Sequence, residues 1–159
     1  MPTRRYSREI ALKVLFHLEF NQEPLEEAIE KLQEVHEWNP KAMEYAKVIL
    51  ETVMEHKEDI DSCISKASKN WRLERIGNVE RCILRCASAE LLYLNVQVPP
   101  KVSIDEAVEM AKEFGNEDSA KFVNGIMDFI YKNIYIPTVD NGTTLNKEGG
   151  MDEISAVTS

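Results

Sequence analysis

Arg4, Arg5 and Arg8, with Lys13 following and Glu9 the one acid among them, gather cations at the start of a chain whose formal net charge is −9. Exposed like charges repel, and ordering long arginine side chains loses rotamer entropy, so such a cluster adds nothing to folding by itself. A guanidinium carries five donors in a rigid fork that matches a phosphate and can stack on an unpaired base. The cluster therefore predicts contact with an RNA backbone. That contact has to be local, because 28 acidic against 19 basic residues disfavour general attraction to nucleic acid or membranes. A second candidate is Lys121-Phe122-Val123-Asn124-Gly125, set on a predicted terminal helix. Spacing alone leaves alternatives open: a basic run can simply face water, and Phe122 can be core.

Other chemistry finds little footing. His17, His36 and His56 stand on separate predicted helices, as surface or boundary residues rather than bases. The acidic pairs Asp59/Asp61 and Asp105/Glu106 fit helix starts, where carboxylates meet the positive end of the dipole. There is no glycine loop to cradle phosphates and no nucleophile elbow. Cys63, Cys82 and Cys86 are too few for a disulfide framework, and no histidine or further cysteine pair near Cys82 and Cys86 completes a metal site. A non-enzymatic protein without metal or cofactor is expected. No run approaches the roughly 18 apolar residues of a membrane span, and no signal peptide follows the basic start, which predicts a cytoplasmic protein without membrane association.

Helices must position these residues. Ile10, Ala11, Val14, Leu15 and Leu18 form one stripe of a first helix whose opening turn holds the arginines. Pro24 suits the start of a second helix with Leu25, Ala28, Ile29, Leu32 and Val35, and Asn39-Pro40 the start of a third with Met43, Ala46, Val48, Leu50 and Val53. A fourth helix carries Ile60, Ile64 and Ala67. The most apolar one follows, capped by Asn78 and running from Val79 to Leu94. Ser103-Ile104-Asp105-Glu106 has capping-box spacing for a sixth helix, ending at Gly115 in a left-handed conformation, and Asp118-Ser119 can begin the last, with Phe122, Ile126, Phe129 and Ile130 in register. The expected fold is all-α, about seven helices in two small bundles. Residues 1–57 form a three-helix bundle, 58–136 a four-helix bundle, and 137–159, with Asn141-Gly142 and Gly149-Gly150, a disordered tail.

With these residues placed, Arg81-Cys82-Ile83-Leu84-Arg85, the run from Ile104 to Lys112 and the run from Lys121 to Asp128 decide a likeness. From about Arg4 to Ile134 the chain resembles the NusB family of bacterial transcription antitermination factors. The resemblance implies two helical bundles that bind the boxA element of ribosomal RNA transcripts together with NusE, a small-subunit ribosomal protein. The pair then joins the RNA polymerase elongation complex with other Nus factors. It assigns Arg4, Arg5, Arg8, Arg85, Lys121 and Phe122 to RNA and Glu80 and Asp118 to the partner side. Where the family often has another basic residue this chain has Tyr6, which lowers the local charge and adds a ring. Glu80, Arg81 and Arg85 can instead pair with neighbouring helices, and Asp118 can simply cap the last one. Two other readings remain: a helical RNA-binding module of a ribosomal RNA methyltransferase, for which the chain holds no cofactor loop or catalytic cysteine motif, and a helical protein adaptor without RNA.

Overall fold

Residues 4–69 and 72–136, with the pairs 144–145 and 151–152, are described by a computed structural model of the chain. Its helices are α1 (Arg4–Phe20), α2 (Leu25–His36), α3 (Pro40–Glu55), α4 (Lys57–Ala67), α5 (Asn78–Tyr93), α6 (Pro100–Phe114) and α7 (Glu117–Ile130). A short 3-10 turn, Leu73–Arg75, precedes α5, and one π-helical stretch, Tyr131–Tyr135, extends α7. The expectation of a disordered tail lies outside the described residues, except that Thr144–Leu145 pairs antiparallel with Met151–Asp152.

Apolar periodicity accounts for most of the packing. Ile10, Ala11, Val14 and Leu15 of α1 and Ala46, Ile49, Leu50 and Val53 of α3 are fully or nearly fully buried. α5 is enclosed from Arg81 to Tyr93, polar residues included, as befits a helix surrounded by others. One continuous core joins α1, α2 and α3 to α4, α5, α6 and α7 through it. Val35, expected in that core, is 74% exposed, whereas Ile49, outside the expected stripe, is completely buried.

The helix ends depart from expectation in instructive ways. Asn39 caps α3 as its spacing implies, accepting from the amides of Lys41 at 2.8 Å and Ala42 at 3.4 Å. α6 begins three residues before the expected capping box, with Pro100 in its first turn, since a proline lacks only an amide that would go unpaired there. Ser103 is thereby carried into the helix and buried. Gly115 ends α6 at φ −124°, so it is not left-handed; a Cβ there would lie 2.9 Å from both the Ala111 carbonyl oxygen and Ser119 Cβ. Asn116 rather than Asp118 caps α7, accepting from the Ser119 amide at 2.9 Å. Gly77, not Asn78, occupies the residue before α5. His56 is not a surface residue: it is the single residue between α3 and α4, buried, with its ring stacked 3.8 Å from that of Tyr93.

Candidate nucleic-acid interface

The first turns of α1 direct three arginines to three different environments. Arg4 is exposed; its guanidinium lies 4.4 Å from the centre of the Tyr45 ring, and Nη1 donates to the Gln97 carbonyl at 3.1 Å. Arg5 is half-buried among carboxylates, with Nε 3.3 Å from Glu9, Nη1 3.3 Å from Glu106 and Nη2 2.9 Å from Glu113. Arg8 is buried. Its Nε donates to both carboxylate oxygens of Glu90, at 2.9 and 3.0 Å, and the Tyr45 hydroxyl donates to the same carboxylate at 2.5 Å. Burial, with the negative charge of Glu90 beside it, pushes the Tyr45 phenol well above its ordinary value.

Of the three arginines expected to meet RNA, Arg8 is the one the fold encloses. Arg8 is 5% exposed, and its Nε bonds to the buried Glu90 tie α1 to α5, while Nη1 lies 3.8 Å from Glu106. Arg85 is enclosed in a similar way. It is buried, donating from Nε and Nη2 to the two oxygens of Asp61 at 2.8 and 3.1 Å and from Nη1 to Glu19 at 2.9 Å. Arg81, one turn before it, donates to Glu19 and Asn78 and to the carbonyl oxygens of Leu73 and Ile76. α1 and α5 run antiparallel, since Arg8 meets Glu90 while Glu19 meets Arg81 and Arg85.

The other candidates gather where the starts of α5 and α7 meet. A pocket of about 340 Å³ is lined by Arg75, Ile76, Gly77, Glu80, Asn116, Asp118, Ser119 and Phe122. Glu80 is half-buried and accepts from the Ser119 hydroxyl, which joins the two helices. Asp118 and Lys121 are exposed, and neither has an ion pair among the described residues. Phe122 is half-buried, one side against the core and the other toward the pocket. The packing of α7 against α5, with the Ser119–Glu80 hydrogen bond, brings these residues together where the Gly115–Asn116 corner leads into α7. That corner also approaches the arginines, because Arg5 is held by Glu113, four residues before the start of α7.

A second concavity is apolar. Leu12, Phe16, Phe20, Leu32, Val79 and Phe114 line a groove of about 500 Å³ between α1, α2 and the start of α5. Phe16 and Phe20, 38% and 62% exposed, form an edge-to-face pair with ring centres 5.2 Å apart. Val79 on its wall adjoins Glu80 of the pocket. Among the described residues no group of histidine, cysteine and acidic side chains is arranged to hold a metal ion, and no helix is long and apolar enough to cross a membrane.

This arrangement of helices has counterparts among known proteins. A model of the NusB family matches residues 5–132. The chain belongs to the NusB family. A transcription antitermination protein NusB of Myxococcus xanthus is 42% identical over 132 residues, covering 80% of this chain and 94% of the relative. The solved structure of T. maritima NusB superposes with a TM-score of 0.75 at 40% identity, over 83% of this chain and 92% of that one. A crystal structure of the antitermination factors NusB and NusE in complex with double-stranded RNA matches with a TM-score of 0.73 at 34% identity, over 81% of this chain and 96% of that one.

Several residues of the interface escaped the sequence. Glu106 and Glu113 are acids on an amphipathic helix, and nothing in their spacing says that they face Arg5. Glu90 did carry a signal: an acid inside Ala87-Ser88-Ala89-Glu90-Leu91-Leu92 has to find a cation or remain uncompensated. Arg8 carried one too, because it lies three, four and seven residues before the buried Ala11, Leu12 and Leu15, on the same stripe.

Proposed function

We propose that the protein is an RNA-binding antitermination factor without catalytic activity, which binds the boxA element of ribosomal RNA transcripts together with NusE. It then promotes processive elongation as part of the RNA polymerase complex with other Nus factors, in the cytoplasm. The observation that carries this reading is the corner between α5 and α7, where an open pocket, a half-buried ring at Phe122 and the exposed cation Lys121 adjoin. A ring takes a splayed base and a lysine a phosphate, the division of labour expected for unpaired RNA. Arg4 and Arg5 extend that surface along the start of α1. Arg8 and Arg85 serve it indirectly by fixing α1 against α5. Glu80 and Asp118 form the partner side, and the adjoining groove with Phe16 and Phe20 offers NusE the apolar area that an interface core needs. The chain divides in this reading into bundles of residues 1–57 and 58–136, with α5 carrying contacts to both sides.

Titration of boxA RNA against a scrambled RNA of equal length, by fluorescence anisotropy at two salt concentrations with and without NusE, tests the proposal. Binding is expected to be selective, weaker at high salt and tighter with NusE, because joining two weak contacts raises the effective concentration of the second. Phe122→Ala is expected to weaken binding by about 1–3 kcal/mol, the range for one base stacked on a ring. Negligible binding to both RNAs even with NusE would leave a helical adaptor as the better account.

A further inference from the structure

Each nitrogen of the Arg5 guanidinium faces a different carboxylate: Nε that of Glu9, Nη1 that of Glu106 and Nη2 that of Glu113. One positive charge thus sits among three negative ones, which is a poor invitation to a phosphate. The three acids differ in how easily they yield. Glu9 and Glu106 have side chains 23% and 27% exposed, whereas that of Glu113 is 50% exposed, although its contact with Arg5 is the shortest of the three. Glu106 is held further by Arg8 Nη1 at 3.8 Å. Glu113 can therefore return to water by a rotation about its own side chain, without desolvation of anything else.

We propose that Glu113 acts as an electrostatic gate on Arg5: it occupies the guanidinium edge that an RNA phosphate takes, and RNA binds there by displacing it. The inference rests on the RNA-binding reading above and names the residue that sets its threshold. An RNA that brings only phosphate charge must displace a carboxylate of the same charge, and gains little by the exchange. One that also stacks a base on Phe122 has further binding energy with which to open the gate. The acidic side chain thereby lowers occupancy by unrelated RNA at concentrations where the fitting sequence binds.

The test is anisotropy titration of boxA RNA and of the scrambled RNA against the full chain, Glu113→Gln, Arg5→Gln and the double variant, with thermal melts to establish that each is folded. Glu113→Gln is expected to tighten binding of boxA RNA by about twofold to fivefold, the scale of one partly exposed ion pair, and to tighten the scrambled RNA as well. In the Arg5→Gln background the same change is expected to gain nothing. Two results overturn the gate while leaving the RNA reading intact: a folded Glu113→Gln that binds boxA RNA no more tightly, with Glu113→Ala behaving alike, or a gain of equal size without Arg5, which would mark a general charge effect. If the unaltered chain binds neither RNA, the RNA reading fails and the gate falls with it.

Discussion

Arg8 and Glu90 form an enclosed ion pair that joins α1 to α5. Their two hydrogen bonds, 2.9 and 3.0 Å, lie inside the protein, and removing the arginine leaves Glu90 buried with only the Tyr45 hydroxyl to answer its charge. Breaking a buried pair from one side typically costs about 3–5 kcal/mol, so Arg8→Ala is expected to lower the stability of the protein by about 3 kcal/mol in urea unfolding. A variant of unchanged stability that has lost only RNA affinity would show instead that Arg8 reaches the RNA. The same distinction limits what could be read from the sequence. Charge and residue type grouped Arg4, Arg5 and Arg8, and the family likeness added Arg85, but which of them are enclosed depends on Glu19, Asp61, Glu90 and Glu106, all distant along the chain. Lys121 and Phe122 stand side by side on α7, one exposed and the other half-covered, a division that spacing alone leaves open.

At the scale of the element, one position holds a residue its backbone does not favour. Glu37 ends α2 with φ 51° and ψ 48°, in the left-handed region, while its amide donates to the Gln33 carbonyl at 2.8 Å. A side chain with a Cβ meets a steric penalty there that glycine avoids, partly offset by the greater freedom glycine has in the unfolded chain. Glu37→Gly is thus expected to stabilise the protein by about 0.5–1 kcal/mol, seen as a higher melting temperature with no change in helix content. A lower melting temperature would mean that the glutamate side chain contributes more than the backbone loses. Helices as such were legible, since each has an apolar stripe of its own. Their ends were not uniformly so: Asn39 next to Pro40 has one satisfactory role, whereas Ser103 satisfies the capping pattern in a stretch that Pro100 had already started as helix. Local motifs compete, and the helix that starts at Pro100 carries Ser103 onto the buried face with Ala107, Met110 and Ala111.

Across the whole molecule, an acidic chain holds its few buried cations in carboxylate networks that bridge helices distant in sequence. Glu19 of α1 accepts from both Arg81 and Arg85 of α5, and Arg85 in turn holds Asp61 of α4, so three helices meet at one cluster. Desolvation alone would push the Glu19 carboxyl upward; the hydrogen bond from Arg81 and the charges of Arg81 and Arg85 outweigh it and hold the group below its ordinary value of 4.5. A carboxyl with a folded-state pKa lower than its unfolded one binds protons more tightly when unfolded, so it contributes stability above the unfolded value and loses it as the pH falls through the folded one. The stability difference between the native chain and Glu19→Gln is therefore expected to be constant at neutral pH and to shrink below about pH 4.5, measured by urea unfolding across an acid series. A difference that stays constant to the lowest pH at which the protein folds would mean that the contribution of Glu19 is packing or neutral hydrogen bonding. In either outcome the cluster sets geometry, because the orientation of α1 along α5 decides where Arg4 and Arg5 stand relative to the corner that holds Lys121 and Phe122.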